Sequence, residues 1–113
     1  MPPHLSDIQR RIFQPNCTFS SCHADPGPGG NLTLTAGKSF AQLVSHECDS
    51  AEARADGFLR VAPGDPAHSF LIAKLRSVNP ARYGARMPQD APPLSESEIA
   101  SIEQWILNGA PDD

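Results

Sequence analysis

The segment Cys17-Thr18-Phe19-Ser20-Ser21-Cys22-His23 brings two thiols and an imidazole into one short stretch of chain. C-x-x-C-H is the pattern by which two cysteines attach a haem covalently while the adjacent histidine reaches its iron. Here four residues separate the cysteines. The extra residues can bulge outward, because the chemistry requires only that both thiols reach the vinyl groups of one porphyrin and that His23 stay next to Cys22. A low-spin iron takes a second axial ligand, commonly a thioether or an imidazole. Beyond Met1 the chain has a single methionine, Met87, in Arg86-Met87-Pro88. It stands in a proline-rich stretch, whereas a gap-filling core methionine would sit on a helical stripe. The third cysteine, Cys48, leaves alternatives open. It is a lone buried thiol, or it pairs with Cys17 and leaves haem on Cys22 alone, or it joins Cys17, Cys22 and His46 in a Cys3His zinc tetrahedron. His4, His46 and His68 otherwise read as solvent-exposed side chains.

The composition says what kind of scaffold must position these groups. The chain has 113 residues and a net charge of −4, with 9 basic and 13 acidic side chains. That length fits one domain over residues 1–113 and not two. Leu, Ile, Val and Phe make up about a fifth of it, near the level where chains lose a stable core, and 12 Pro and 8 Gly add little. Small domains of this kind usually need a disulfide, a metal or a cofactor. The basic residues cluster no further than Arg10-Arg11, which argues against nucleic acid and anionic lipid as partners. Apolar runs such as Phe70-Leu71-Ile72-Ala73 are too short to span a membrane. Met1-Pro2-Pro3-His4 has no basic, apolar leader character.

The pattern predicts an all-α chain of about four short helices joined by long Pro/Gly-rich loops. The first runs from about Ser6 to Gln14, with Ser6 and Gln9 at capping-box spacing, Ile8 and Ile12 on one face and Pro15 beyond the end. The second, Lys38 to Ser45, places Phe40, Leu43 and Val44 together. The third, Asp65 to Arg76, opens with Asp as N-cap and Pro66 at its first position. The last is the clearest. Ser95 and Glu98 match S-x-x-E, Leu94 and Ile99 take the staple positions, Ile99, Ile102, Trp105 and Ile106 form one stripe, and Gly109 and Pro111 supply the stop. Ala24 to Asn31 and Asn79 to Pro93 read as loops, and only Asn31 to Thr35 alternates as a strand would.

The order of these pieces resembles a small monohaem cytochrome c domain, and is particularly similar to the planctomycete-type cytochrome c-like domains of bacterial exported proteins. The matching segments are Cys17 to His23, Arg60-Val61-Ala62-Pro63-Gly64-Asp65-Pro66 with Ser69, Arg86-Met87-Pro88, and Leu94 to Ala110. The resemblance implies a cytochrome c-like fold around one haem c, held by thioethers from Cys17 and Cys22, with His23 proximal and Met87 distal. It departs from the family pattern in the four-residue gap and in Cys48. The implied role is a one-electron carrier or an electron-transfer domain of a larger redox protein, acting outside the cytoplasm, in the periplasm or an equivalent exported site. A six-coordinate iron offers no open position, so the chain is not expected to be an enzyme. A haem enzyme or gas sensor in which Met87 detaches is the competing haem reading. Pro26 or Pro28 is a candidate to accept from the other ring nitrogen of His23. Arg60, Tyr83 and Arg86 are weighed as propionate partners against ordinary surface roles, and Ile8, Ile12, Leu71, Leu75 and Ile102 as residues packing on the porphyrin. Expected partners are redox proteins, with a basic docking rim favoured by the acidic balance.

Overall fold

The computed structural model describes residues 4–13, 37, 39–48, 50–83, 87 and 93–113. These are mostly helical. They contain no strand, only isolated bridges between Val44 and Val61, Glu47 and Leu59, and Leu59 and Ser69. The helices are α1 (Leu5–Ile8), α2 (Ser39–Leu43), α3 (Ala51–Ala55), α4 (Phe70–Leu75), α5 (Pro80–Tyr83) and α6 (Glu96–Leu107). The last carries the core. Ile99, Ile102, Trp105 and Ile106 all point inward, against Leu5, Ile8, Ile12 and Phe13 from the first helical segment and Ile72 and Leu75 from α4.

Helix α6 follows its sequence signals closely. Ser95 Oγ accepts from Glu98 N at 3.2 Å, and Glu98 Oε1 accepts from Ser95 N at 2.8 Å, a complete capping box. Leu94 and Ile99 are both buried, as a hydrophobic staple requires. At the other end Gly109 N donates to Ile106 O and Ala110 N to Trp105 O, with Gly109 at φ +101. That is a Schellman closure, and glycine adopts the left-handed angle at little cost. Ser95→Ala is expected to lower stability by about 1 kcal/mol, read as a fall in urea midpoint, with Ser95→Asn near wild type.

The first helix differs from its expected form. It begins at Leu5, so Ser6 is already inside it, and the proposed capping box of Ser6 and Gln9 does not form. Gln9 is instead buried and accepts a 2.5 Å hydrogen bond from Ser39 Oγ, which ties α2 to α1. From Gln9 to Phe13 the turn widens into a π-helix that keeps Ile12 and Phe13 buried. The cap comes from the other end of the chain. Asp113 Oδ1 accepts from Leu5 N at 2.8 Å, and Asp113 Oδ2 from His4 Nδ1 at 2.7 Å. A carboxylate at this end is favoured by the helix dipole.

This terminal tie gives a pH expectation. The hydrogen bond to Asp113, then its charge, raises the His4 pKa above 6.5, with a smaller contribution from Asp7, and His4 in turn lowers the Asp113 pKa. The His4 contribution is therefore complete below about pH 6.5 and disappears as pH rises through the raised value. The Asp113 contribution is complete above about pH 4 and is lost as pH falls. Melting temperatures of wild type and His4→Gln are expected to differ most between those limits and to converge towards pH 9.

Asp65 to Arg76 does not form one helix. Asp65 does cap, with its side chain accepting from His68 N, but the turn it starts is a 3-10 helix over Pro66–His68. Ser69 then adopts φ −97, ψ 111, and α4 begins only at Phe70. The reason is the buried Ser69 hydroxyl, which accepts from Ala62 N and donates to Asp65 O, both at 2.9 Å. Holding that turn requires an extended backbone. Gly64, at φ +78, donates to Ile106 O at 2.7 Å and so docks the turn on the end of α6. Two further helices lie where none was expected. Helix α3 is capped by Ser50, and α5 falls inside the stretch read as loop, with Pro80 favoured at a first helical position.

Candidate functional site

Cys17, Cys22, His23, Pro26, Pro28 and Arg86, with the strand-like stretch Asn31 to Thr35, lie outside the described residues. Met87, the predicted distal ligand, lies within them. Helix α4 ends at Arg76 with Ser77 at φ 57, and Val78 N closes back to Ala73 O. Such an end leaves carbonyls without helical partners. Lys74 O accepts from Ser77 N at 3.4 Å within the closing turn and also from Met87 N at 3.1 Å. The Lys74 side chain turns the other way and donates from Nζ to Tyr83 O at 3.0 Å. Tyr83 is the last residue of α5, where a cation meets an exposed carbonyl favourably. One residue of α4 thus grips both ends of the segment between Tyr83 and Met87. Partial burial lowers the Lys74 pKa.

Tyr83 is itself locked in place. Its hydroxyl donates to Asp56 Oδ2, and Arg82 holds the same carboxylate through Nε at 2.7 Å and Nη2 at 3.1 Å. Arg82, and after it the Tyr83 hydroxyl, pull the Asp56 pKa down; Asp56 pushes that of Tyr83 up. The Tyr83 ring meets Phe58 and Phe70 edge-on, with centroids 5.5 and 5.3 Å away, an arrangement that adds to the simple burial of the rings. Tyr83 is therefore an anchor for α5, with its hydroxyl committed to Asp56. Arg60 is no surface residue either. It is 6% exposed, and Nη1 donates to Gln42 O at 2.8 Å.

Met87 is half-buried against the core, as are Phe40, Val44 and Leu71. Backbone bonds link these residues in order. Val44 N donates to Phe40 O, Val44 pairs with Val61, Leu71 N donates to Arg60 O, and Lys74, one turn along α4, holds Met87. By contrast Ile8, Ile12, Ile102 and Leu75 are enclosed by protein, at 0, 0, 0 and 3% exposure. Leu71, weighed with these four as a residue that packs on a porphyrin, is partly buried against the core. Trp105 is fully buried, and Nε1 donates to Pro111 O at 2.9 Å.

The chain matches no family model, no curated protein and no solved structure. The site therefore rests on its own chemistry. Met87 offers a thioether, a donor that suits low-spin iron, on a half-buried residue whose N–H is held by Lys74 O. The described residues that bear on the zinc alternative are His46 and Cys48. His46 is exposed, with Nδ1 2.8 Å from Glu47 O; Cys48 is buried, with Sγ 3.7 Å from Phe58 O. Among the described residues no three His, Cys, Asp or Glu side chains gather as a metal site, and no helix is long and apolar enough to cross a membrane. A cleft of about 620 Å³ opens beside Leu5, Gln9, Ser39, Phe40 and Asp113. It adjoins the start of α1.

Sequence reasoning missed Lys74, Asp56 and the α3–α5 contact. Their signal was weak. Lys74 read as one residue of an amphipathic helix, and Asp56 and Tyr83 are far apart in sequence.

Proposed function

We propose that the chain is a cytochrome c-like electron-transfer domain with one haem c, bound through Cys17 and Cys22 and ligated by His23 and Met87. The observation that carries this reading is the setting of Met87. The only methionine after Met1 is half-buried against the core with its N–H held by Lys74 O of α4, in a chain that also contains C-x4-C-H. When bound, the haem supplies a one-electron Fe(III)/Fe(II) couple. The protein's part is to hold the two axial side chains, keep water from the iron, and offer Phe40, Val44 and Leu71 as apolar contacts. Thioether ligation favours the reduced state and raises the potential. With His23 and Met87 both holding the iron, the domain would carry electrons rather than act on a substrate. The site of action is extracytoplasmic, as covalent attachment by the usual bacterial route requires, and the partners are redox proteins. The net charge of −4 favours a basic docking rim, with association slowed by added salt.

Visible spectra of oxidised and dithionite-reduced protein, with a pyridine haemochrome on the same sample, test the reading. Sharp reduced bands and a weak near-infrared sulfur-to-iron band are expected, and the haemochrome position counts one thioether or two. Rapid carbon monoxide binding to the reduced protein would instead indicate a sensor or enzyme in which Met87 leaves. A colourless protein with stoichiometric zinc would overturn the haem reading in favour of Cys17, Cys22, His46 and Cys48.

A further inference from the structure

The chain leaves α6 through two successive left-handed residues, Gly109 at φ +101 and Ala110 at φ +51. Ala110 is buried, whereas Pro111, Asp112 and Asp113 beyond it are exposed and irregular. Three hydrogen bonds tie this exposed strap to the described residues. Trp105 Nε1 donates to Pro111 O at 2.9 Å, Leu5 N donates to Asp113 Oδ1 at 2.8 Å, and His4 Nδ1 lies 2.7 Å from Asp113 Oδ2. The strap buries no side chain of its own, so its release exposes little apolar surface. A segment of that kind opens at lower free energy than the core beside it. Asp112 and Asp113 also line the cleft at the start of α1, which makes the strap one of its walls. Two of the three ties meet at a single carboxylate, and one of these is an ion pair only while His4 holds its proton. The other charged groups at this contact are Asp7 and Arg10, paired with each other at 2.6 Å on the first helical segment, and Asp112 on the strap.

We propose that residues 111–113 form a pH-operated clasp, which opens as a unit from α1 and the Trp105 indole and is held shut by the His4–Asp113 pair. The hydrogen bond to Asp113, then its charge, raises the His4 pKa above 6.5, and His4 lowers that of Asp113 below 3.8. The pair is therefore complete between about pH 4 and about pH 6.5. Its hold is lost as pH rises through the raised His4 value, and again as pH falls through the lowered Asp113 value. The clasp uses none of Cys17, Cys22, His23 and Met87, so its test is independent of the haem reading.

Native-state hydrogen exchange of the full-length protein as purified, followed by NMR, reads the clasp at the indole N–H of Trp105, the chain's single tryptophan. The backbone N–H of Ile102, fully buried in the same helix, is the reference for global unfolding. At low urea the indole protection is expected to stay constant while that of Ile102 falls, because releasing the strap exposes far less surface than unfolding. Corrected for the intrinsic rate, the indole protection is expected to fall about threefold between about pH 6 and about pH 8.5, the scale of an exposed ion pair. His4→Gln is expected to abolish that fall, and Asp113→Asn to give the low value at both pH values. His4 and Asp113 are exposed, so both variants keep the fold. A change at His4 that moves the Trp105 indole is one that simple fraying of the N-terminus would not produce. If indole and Ile102 protection fall together from the lowest urea concentration, the strap leaves only on global unfolding and the clasp is overturned. It is equally overturned if the wild-type indole shows no pH dependence, or if His4→Gln keeps the wild-type dependence.

Discussion

Trp105→Ala is expected to remove about 3–5 kcal/mol of stability, the usual cost of cutting a buried Trp back to Ala. Trp105 is fully enclosed in the middle of α6, in one cluster with Ile8, Ile12 and Ile102. Its Nε1 also donates to Pro111 O at 2.9 Å, which holds the C-terminal tail. The truncation opens a cavity and leaves that carbonyl without its donor. The tail carries Asp113, the cap of the first helix, so damage here spreads to the N-terminus. Against a total of about 5–15 kcal/mol for a typical domain, such a loss removes a large share of the stability. Urea titration followed by far-UV circular dichroism should show a much lower midpoint with an unchanged slope. Leu107→Ala is the comparison. Leu107 is 55% exposed on the same helix, and its change is expected to stay within about 0.5 kcal/mol. Equal shifts for the two variants would mean that the core is not centred on Trp105.

The double variant Cys17→Ala/Cys22→Ala is expected to lose all visible absorbance and much of its helix signal. Covalent attachment depends on those two thiols in the proposed domain, and the partly buried Phe40, Val44, Leu71 and Met87 would lose the flat group proposed to pack on them. A chain with so few large apolar residues has little stability to spare. Cys48→Ala should keep its colour if both thioethers come from Cys17 and Cys22. Under the zinc alternative the three cysteines are equivalent, and Cys48→Ala would release metal as readily as either of the others. A native circular dichroism spectrum from the double variant would refute the coupling between haem and folding.

The elements that were legible in the sequence are those whose signals are local. Ser95 and Glu98 bond to each other across one turn, and Ile99, Ile102, Trp105 and Ile106 share a stripe through the geometry of a single helix, so α6 has the expected cap, stripe and stop. The helix over Ser39–Leu43 and the cap at Asp65 were readable for the same reason. Met87 stood out as a methionine away from any helical stripe, and it is half-buried against the core.

What failed to show in the sequence depends on partners distant along the chain. Ser6 and Gln9 had the spacing of a capping box, but the carboxylate of Asp113 takes over the capping role and Ser39 claims Gln9. Asp65 to Arg76 had the composition of one helix, and only the burial of Ser69 against the Ala62–Asp65 turn explains the break. Arg60 had the composition of a surface residue until Gln42 was brought beside it. The grip of Lys74 on Tyr83 and Met87 is of the same kind, made of backbone carbonyls that carry no side-chain signature. By itself the sequence determined the helical periodicity, the local caps and the residue types able to bind iron, because each depends on neighbours within a few positions. Tertiary structure alone decided which carbonyls and buried hydroxyls find donors, since hydrogen bonds between distant segments exist only after the core has brought those segments together.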